Sequence, residues 1–447
     1  MSVRDDVRLQ HDSRTAIVDR PLTLPLVLLL ALMLRMGAAV WVEQQVQQSG
    51  RQFFVEGDAN GYWHLGQMLA AGEEYSIHYP PRRIMRVPGF PLLLAGSIQI
   101  FGDSVFAARC VLAVVGAACC WLVFLLGRSL VNRAAGLLAA AMMSVHPLQV
   151  GNSVLILSET WFTFWMLASL VSLMKVLEVT KPDSQVSSDS DTAGDRRQSS
   201  WLFAGLSGML IAAAVLVRPG FLPWLAPCAV VVLIFGQGTL IRRGLLVGTI
   251  GILFALTMLP WIVRNHQVSG HWVLTSLWSG PSMYDGLNPD ADGTSDMTFF
   301  DADNVMSRMT EFEMNAHYQQ RSIQFVKDQP GRSVTLAGLK LLKFLQAVPS
   351  TLQGGWVVTV GCVTGYAVFC VLCLTGLATG WIRLPGILVT TGPFLLFLAV
   401  HMVFVGSLRY RLPVEFPLAI VAATGLQWFW KQLLTPTVSR RPIAGDQ

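Results

Sequence analysis

The hydrophobic positions of this chain gather in long uninterrupted runs instead of the short alternations of a soluble protein. The first run, PLTLPLVLLLALMLRMGAAVWV, meets the roughly 20 apolar residues that a membrane-spanning helix needs. A shorter run, Pro88–Phe101, predicts an interfacial or re-entrant helix. The pattern predicts ten full spans, near 21–42, 105–127, 134–148, 159–178, 201–217, 220–236, 244–263, 356–381, 385–406 and 412–430.

The polar stretches between these runs divide the chain. The Ser/Asp-rich stretch KPDSQVSSDSDTAGDRRQSS has no apolar period and predicts a disordered linker. We expect an all-α polytopic membrane protein with about 10–11 transmembrane helices, outer-face juxtamembrane helices and one small outward-facing segment. The predicted parts are a cytoplasmic N-terminus (1–20), a membrane core (21–178) with a first outer loop (43–103), the linker (179–200), a membrane part (201–264), the outward segment (265–355), a membrane part (356–430) and a cytoplasmic tail (431–447).

Composition agrees with a membrane protein and excludes other classes. Of the 447 residues, 53% are hydrophobic and only 13% are charged, far from the soluble range. The seven cysteines all lie in apolar runs, which indicates core residues and neither a disulfide nor a metal framework. No basic, aromatic-studded face predicts nucleic-acid binding. The first run lacks a clear small-x-small cleavage site, so we expect a retained span.

Basic residues gather at the ends of the predicted spans, which sets an expected orientation. With a cytoplasmic N-terminus, most of these groups fall inside, and four regions, 43–103, 149–158, 266–355 and 407–411, face outward together. The inside groups are Arg4, Arg8, Arg14, Arg20, Arg128, Arg133, Arg196, Arg197, Arg242, Arg243, Arg383, Lys431, Arg440 and Arg441.

Two carboxylates lie where the chain meets the outer membrane surface. Asp58 precedes NGYWHLGQMLAAG, a pattern typical of a short amphipathic helix that would hold the carboxylate near both lipid headgroups and an outside substrate. A loop carboxylate that only caps this helix is the alternative. Glu159, in VLILSETWFTFWMLAS, begins an apolar span, where a carboxylate drawn inward costs about 2.5–3.5 kcal/mol. The alternative is that Glu159 is an ordinary acidic residue at a helix N-terminus, where the helix dipole favours a carboxylate.

Arginines at outer span ends run against the orientation rule. They predict an outward anionic ligand, because a guanidinium forms forked, charge-assisted hydrogen bonds to phosphate. Contact with headgroup phosphates is the alternative, above all for Arg82 and Arg83. Arg35 and Arg109 lie inside spans and are expected to pair within the bundle or line a cavity. The outer group is Arg82, Arg83, Arg86, Arg218, Arg264, Arg409 and Arg411.

Metal and nucleotide motifs are missing from the sequence. His266, next to Arg264, is a candidate metal or phosphate ligand, although a lone histidine at a span end more often has neither role. No HExxH, DxD or paired Cys/His spacing supports a metal. No GxxxxGK[ST] loop indicates a nucleotide-driven pump.

Seven stretches of the chain follow a familiar serial order. They resemble the GT-C membrane glycosyltransferases of the protein O-mannosyltransferase-like family, which includes dolichyl-phosphate-mannose-protein mannosyltransferases and the aminoarabinose transferases that modify lipid A. The resemblance covers nearly the whole chain. The stretches are GDANGYWHLGQMLAAG, RVPGFPLLLAGSIQIFGDSVFAARCVLAVVGA, GRSLVNRAAGLLAAAMMSVHPLQV, ILSETWFTFW, LVRPGFLPWL, PWIVRNHQVSG and RYRLPVEFPLAI.

The resemblance implies an active site on the outer face, between the first outer loop and the bundle. It implies a sugar on a polyprenyl phosphate as donor, Asp58 as catalytic base and Glu159 as the second acidic residue. Arg264 and His266 fall where relatives place phosphate-contacting or metal-associated groups. The donor phosphate is expected to bind Arg86, Arg218, Arg264, Arg409 or Arg411.

Two departures from the family pattern bear on a metal. Ala59 follows Asp58 where many relatives have an acidic residue, and MRVP supplies only Arg86 where the aminoarabinose branch has a Glu-Lys pair. Arg86 is then the expected replacement for that lysine on the phosphate. No cofactor is required by these residues, and a divalent metal ion stays open.

The expected activity is inverting transfer of the sugar to a hydroxyl or amine of a protein, lipid or glycan, with membrane lipid as the surroundings. The expected location is a bacterial inner membrane, with the site facing the periplasm or the exterior. A transporter or flippase of a lipid-linked or anionic solute is the alternative. That alternative usually shows an internal repeat and charges at mid-bilayer, whereas the acidic residues here cluster at one face.

Overall fold

The computed structural model describes residues 22–178, 190–348 and 355–434. Within these ranges the protein is almost wholly helical, and its only strand-like pairing is an isolated antiparallel bridge between Ile77 and Arg82. The α-helices are α1 (Thr23–Ser49), α2 (Asp58–Ala71), α3 (Gly89–Phe101), α4 (Val105–Leu130), α5 (Arg133–Val145), α6 (Pro147–Asn152), α7 (Glu159–Glu178), α8 (Ser190–Val217), α9 (Leu225–Phe235), α10 (Leu240–Ser269), α11 (Ser279–Gly286), α12 (Thr298–Ala302), α13 (Val305–Arg308), α14 (Glu311–Asp328), α15 (Pro330–Leu345), α16 (Trp356–Ala378), α17 (Leu384–Val403) and α18 (Leu408–Leu434).

Long apolar helices form the body of the protein. Among the described residues, eight are long and apolar enough to cross a membrane: α1, α4, α7, α8, α10, α16, α17 and α18. Three shorter apolar helices accompany them, at Gly89–Phe101, Arg133–Val145 and Pro219–Phe235, the last beginning with a 3₁₀ turn. These eleven elements confirm the predicted all-α, multi-pass membrane protein. Two of the ten predicted spans, 134–148 and 220–236, correspond to the shorter helices.

Helix α5 is short, and its C-terminal carbonyls find hydrogen-bond partners inside the bundle. Its 13 residues rise about 20 Å, less than the roughly 30 Å of a hydrocarbon core. The buried guanidinium of Arg35 donates to the carbonyls of Met143 (3.1 Å) and Ser144 (3.3 Å), which the end of the helix leaves without partners. Arg109 pairs with Glu43 on α1. The expectation that Arg35 and Arg109 are satisfied inside the bundle is therefore confirmed.

The predicted linker 179–200 is partly wrong. Residues 179–189 lie outside the described residues, but helix α8 begins at Ser190 and so occupies the second half of that stretch. This part of the helix could not be predicted from hydrophobic periodicity, because its sequence, SDTAGDRRQS, has no apolar residues at helical spacing. Residues 1–21 and 435–447, with the predicted cytoplasmic ends, also lie outside the described ranges.

Helices α11 to α15 form the segment that was predicted to face outward, here called the outward segment, and it packs on the loop region 43–103, here called the first outer loop. A small core around Tyr284 and Tyr318 holds the segment together. Arg82 is buried and donates to the carbonyls of Met306 and Met309 (2.9 Å), while Arg83 pairs with Glu74. The alternative that Arg82 reaches lipid headgroups is therefore wrong, because protein carbonyls bind its buried guanidinium. The alternative stays open for Arg83, whose side chain is 35% exposed.

Candidate functional site

Asp58 is the first residue of helix α2, but it does not cap that helix. The cap is made by Asn60, whose side-chain oxygen accepts from the backbone N–H of Gly57 at 3.0 Å. Gly57 has φ +81°, a conformation that glycine adopts without the usual steric cost. The Asp58 carboxylate, favoured at a helix N-terminus, is thereby left for other partners.

Both carboxylate oxygens of Asp58 are held by arginines. Arg86 Nη2 donates to Oδ1 at 2.8 Å, and Arg409 Nη1 donates to Oδ2 at 3.0 Å. About a third of the Asp58 side chain is exposed. Burial alone would raise the pKa of Asp58, but the charges and hydrogen bonds of Arg86 and Arg409 outweigh it and hold the pKa well below its usual value. Asp58 is therefore ionised and is a weak base in this state.

Arg86 reaches Asp58 from the loop that precedes α3. Its guanidinium lies 4.5 Å above the ring centroid of Tyr62, one turn after Asp58 on α2. Tyr62 in turn meets Phe90 edge to face. Burial alone would lower the pKa of Arg86, but the negative charge of Asp58 and its hydrogen bond outweigh that effect and raise the pKa, so that the guanidinium stays charged. Helix α2 thus presents a carboxylate and an aromatic face to one cation.

Glu159, at the start of α7, is fully buried and lies beside the same cluster. Its Oε1 accepts from Arg409 Nε and from Arg218 Nη2, the latter at 3.2 Å. A buried carboxylate requires such partners, since an isolated charge at this depth would be costly. Glu159 is therefore not only an acidic residue favoured by the helix dipole, because it also forms buried ion pairs with Arg409 and Arg218.

The aromatic ring of Tyr410 contacts two of the arginines, Arg218 and Arg409. The guanidinium carbon of Arg218 lies 4.9 Å from the ring centroid of Tyr410, and that of Arg409 lies at 5.8 Å. His401 also stacks on this ring, with centroids 4.4 Å apart and planes at 6°. The aromatic pair fixes the two cations where they meet Glu159.

These five charged side chains form one continuous arrangement, here called the charge chain. It runs Arg86, Asp58, Arg409, Glu159, Arg218, with Arg409 joining the two carboxylates. Three guanidinium groups face two carboxylates, so the chain has one uncompensated positive charge. A cationic cluster that is partly shielded from water is suited to bind an anion.

Several buried polar atoms on this chain have no hydrogen-bond partner. They are Arg86 Nε, Arg218 Nη1, Glu159 Oε2 and the hydroxyl oxygen of the neighbouring Ser158. Buried polar atoms are nearly always paired in folded proteins, so these four require an explanation. Unpartnered donors at both ends of the charge chain, and unpartnered oxygens on Glu159 and Ser158, match a ligand that carries both an anionic group and hydroxyls.

Three residues singled out in the sequence lie apart from the charge chain. Arg411 is buried, pairs with Glu415 at 2.7 Å, and donates to the carbonyls of Phe344 and Gln346. Arg264 donates to the carbonyls of Tyr75 and Arg83 in the first outer loop. The His266 ring stacks on Trp272 at 4.1 Å. The structure therefore does not bring these three to Asp58.

The residues near Asp58 do not form a set that fits a divalent ion. Within the described ranges, no three His, Cys, Asp or Glu side chains converge so as to hold a metal. Both oxygens of Asp58 and one of Glu159 already accept from guanidinium groups. In the state described, these three oxygens are therefore bound to guanidinium groups and are not free to ligate a metal ion.

Sequence reasoning missed Tyr62, Tyr410 and Ser158. Signals for the first two were present, since Tyr62 is four residues after Asp58 on a helix and so shares its face. Tyr410 stands between two arginines in LRYRLP.

We predict that Gly61→Ala weakens the site without weakening the fold. A Cβ at Gly61 would lie 3.1 Å from Ile77 Cδ1, which has to shift by a few tenths of an ångström, and 3.4 Å from Arg86 Nε, so the methyl group fills the space beside the Arg86 guanidinium. Alanine is favoured over glycine in a helix by about 1 kcal/mol. We expect a few-fold loss of activity with an unchanged or higher melting temperature.

The matched control is Gly96→Ala on α3, where a Cβ would meet no atom within 4 Å. It should give the same gain in stability and leave activity unchanged. Equal activity losses in the two variants would show that the space beside Arg86 is unimportant.

Comparison with known proteins agrees with the predicted resemblance. Residues 85–188 match the family model of the dolichyl-phosphate-mannose-protein mannosyltransferases. An undecaprenyl phosphate-α-4-amino-4-deoxy-L-arabinose arabinosyl transferase of Pseudomonas fluorescens is 30% identical over 225 residues, which cover 48% of this chain and 37% of that protein. A transferase of the same name from Pseudomonas aeruginosa is 29% identical over 224 residues, with the same coverage. The chain thus matches well under half the length of these curated relatives.

Solved structures extend the likeness to the whole fold. The oligosaccharyltransferase of Archaeoglobus fulgidus, with a tethered acceptor peptide, superposes with a TM-score of 0.54 and 14% identity, over 93% of this chain and 50% of that one. The same enzyme in complex with an inhibitory peptide and a dolichol-phosphate gives 0.52 and 14%, over 92% and 50%. The predicted resemblance is confirmed: the chain is similar in fold to the oligosaccharyltransferase along most of its length, and similar in sequence to the arabinosyl transferases over about half of it.

Proposed function

We propose that this protein is a glycosyltransferase that moves a sugar from a polyprenyl phosphate to a hydroxyl or amine of an acceptor. The observation that carries the proposal is the charge chain, in which Arg409 joins Asp58 and Glu159 while Arg86 and Arg218 flank them. It provides a base, a buried second carboxylate and cations for a phosphate leaving group. These are the parts that transfer from a prenyl phosphate needs.

The leaving phosphate is expected at Arg86, Arg218 and Arg409. When the bond between the anomeric carbon and the phosphate oxygen breaks, its electron pair goes to that oxygen. Guanidinium groups fixed in advance stabilise this growing charge without having to reorganise. Arg218 Nη1 and Arg86 Nε, which are buried without partners, are the donors available to the phosphate before any ion pair is broken.

Binding of the donor also prepares the base. In the state described, Arg86 and Arg409 hold the pKa of Asp58 well below its usual value against the opposing effect of burial, which makes the carboxylate a poor proton acceptor. A phosphate that draws these cations toward itself removes that hold, and the pKa of Asp58 rises. We infer that Asp58 becomes an effective base only when the donor is in place.

The acceptor attacks on the face of the sugar opposite the phosphate. Its oxygen or nitrogen forms the new bond to the anomeric carbon, its proton passes to Asp58, and prenyl phosphate leaves. The configuration at the anomeric carbon inverts. Glu159 Oε2 and the Ser158 hydroxyl, both unpartnered, are suited to accept and donate hydrogen bonds with sugar or acceptor hydroxyls.

The proposed site lies on the extracytoplasmic side of a bacterial inner membrane. The support is the clustering of basic residues at the other span ends, such as Arg128 and Arg243. No nucleotide is required there, because the lipid-linked sugar is already activated. The related proteins named above carry undecaprenyl phosphate-aminoarabinose transfer in their names, or were solved with dolichol-phosphate, which favours a polyprenyl phosphate donor here.

The test is a donor assay with purified protein in liposomes. Labelled sugars on polyprenyl phosphate are supplied with extracts of candidate acceptors, and release of free prenyl phosphate is measured together with label on the acceptor. We expect one or a few sugars to react, with the same sugars on a nucleotide remaining unused.

Two results would oppose the proposal. The first is the absence of prenyl phosphate release from every donor, with protein that is folded by its melting transition. The second is passage of the intact lipid-linked sugar from one leaflet to the other, which is the behaviour of a flippase.

A further inference from the structure

Arg409 depends for its position on the turn between α17 and α18. Its guanidinium reaches Asp58 on α2 and Glu159 on α7 at once, so a small displacement of the turn would break one contact or the other. In enzymes, a misplacement of about 1 Å can cost about 10²-fold in rate. What holds this turn therefore bears on the reaction.

The turn is held by a buried lysine of the outward segment. Lys340, on α15, is fully buried, and its ammonium donates to the carbonyl of Val403 at 2.7 Å and to that of Gly286 at 3.1 Å. Val403 is the last residue of α17, where carbonyls lack helical partners and the helix dipole favours a cation. The lysine thus fastens the end of α17 to α11 and α15.

The backbone of the turn packs closely on the same lysine. A Cβ at Gly406 would lie 2.2 Å from the Lys340 carbonyl oxygen, and one at Gly286 would lie 2.9 Å from that of Val403. Only glycine permits these approaches. On the far side of Arg409, Arg411 donates to the carbonyls of Phe344 and Gln346 at the end of α15. Helix α15 therefore contacts the chain on both sides of Arg409, at Val403 before it and at Arg411 after it.

A buried ammonium with carbonyl partners is a costly way to join helices. Burial lowers the pKa of Lys340 to about 8, with the charge of Asp285 opposing that effect. A leucine or methionine would fill the same volume without this cost. The ammonium offers directed bonds to two carbonyls instead, and these fix where α17 ends.

From these contacts we propose that Lys340 is a positioning residue for sugar transfer. It fixes the turn at Val403–Ser407, and through it the reach of Arg409 to Asp58 and Glu159. This inference rests on the proposed function. It makes the outward segment part of the active-site support, in addition to any role in binding an acceptor.

The test begins with Lys340→Met, which keeps the volume of the side chain and removes its donors. We expect kcat/KM for the donor to fall by about 10- to 100-fold per folded molecule, with KM for the acceptor little changed. Lys340→Arg, which retains the charge and several donors, should recover part of the loss. The control Lys327→Met removes an exposed lysine of α14 and should leave both constants unchanged.

A double-mutant cycle with Arg409→Lys separates positioning from general destabilisation. If Lys340 acts through Arg409, Lys340→Met should cost little once Arg409 is already replaced. Penalties that simply multiply in the double variant would overturn the proposal. So would an unchanged kcat/KM in folded Lys340→Met.

Failure of the proposed function remains distinguishable from failure of this inference. If the unaltered protein transfers no sugar, the function is wrong. If it transfers sugar and the cycle shows no coupling, only the role of Lys340 is wrong. If Lys340→Met does not fold, the same cycle is run with Lys340→Arg, whose coupling to Arg409→Lys decides the matter.

Discussion

Asp58→Asn should abolish sugar transfer, with a loss of about 10²–10⁴-fold, while the protein stays folded in the membrane. The amide has the size of the carboxylate and still accepts a hydrogen bond from Arg86 or Arg409, but it cannot take a proton from the acceptor. Arg86 loses its ion pair with Asp58 in this variant, but its side chain is 17% exposed and keeps the Tyr62 ring beside it, so we expect the protein to fold. Turnover of labelled polyprenyl phosphate sugar per folded molecule measures the effect.

Asp103→Asn is the control for the loss of one negative charge on the outer side. Asp103 is exposed, and both its oxygens accept from Gln67, away from the charge chain. Its replacement should leave turnover unchanged. Near-normal turnover in Asp58→Asn would mean that another group is the base.

Arg409→Ala should have the next largest effect, about 10²–10³-fold in kcat/KM for the donor. The substitution removes a phosphate contact and also the group that joins Asp58 to Glu159. Arg409→Lys should recover only part of the activity, because an ammonium cannot reach two carboxylates and a phosphate with a forked geometry. Initial rates over a range of donor concentrations separate the effects on KM and kcat.

Arg243→Ala removes a guanidinium from the opposite end of the bundle, where Arg243 donates to the carbonyls of Leu233 and Ile234. It should not change the donor KM. An unchanged donor KM and kcat in Arg409→Ala would remove Arg409 from the phosphate site and leave Arg86 and Arg218 as its candidates.

The sequence was sufficient to predict the membrane-spanning helices and five charged side chains of the site. Charges are rare at span ends on the outer side, so Asp58, Glu159, Arg86, Arg218 and Arg409 stood out one by one. Their roles remain predictions. Their pairing could not be predicted, because the partners of Arg409 are 351 and 250 residues away in the chain.

The sequence could not show that Arg409 and Arg411 bind different partners, and the reason is geometric. Both belong to the same short motif, but two helical residues apart means a rotation of about 200° around the axis. One guanidinium therefore faces Asp58 and Glu159, and the other faces Glu415 and the end of α15. Which of the two faces the site depends on where α18 begins, and hydropathy does not fix a helix start to one residue.

Arg264 and His266 illustrate a second limit. They lie in the last turns of the long helix α10, and the neighbouring loop decides their partners. That loop brings Tyr75 and Arg83 to Arg264, while Trp272 covers His266. Contacts made by irregular loops leave no periodic signal in a sequence.

The joining of Asp58 and Glu159 by Arg409 has a consequence for biosynthesis. As the protein emerges from the ribosome, Glu159 meets Arg218 after 59 residues but waits 250 residues for Arg409. A nascent chain that has inserted only its early spans therefore carries an incomplete charge chain. If the proposed function holds, we expect no sugar transfer until the helix that carries Arg409 has entered the membrane.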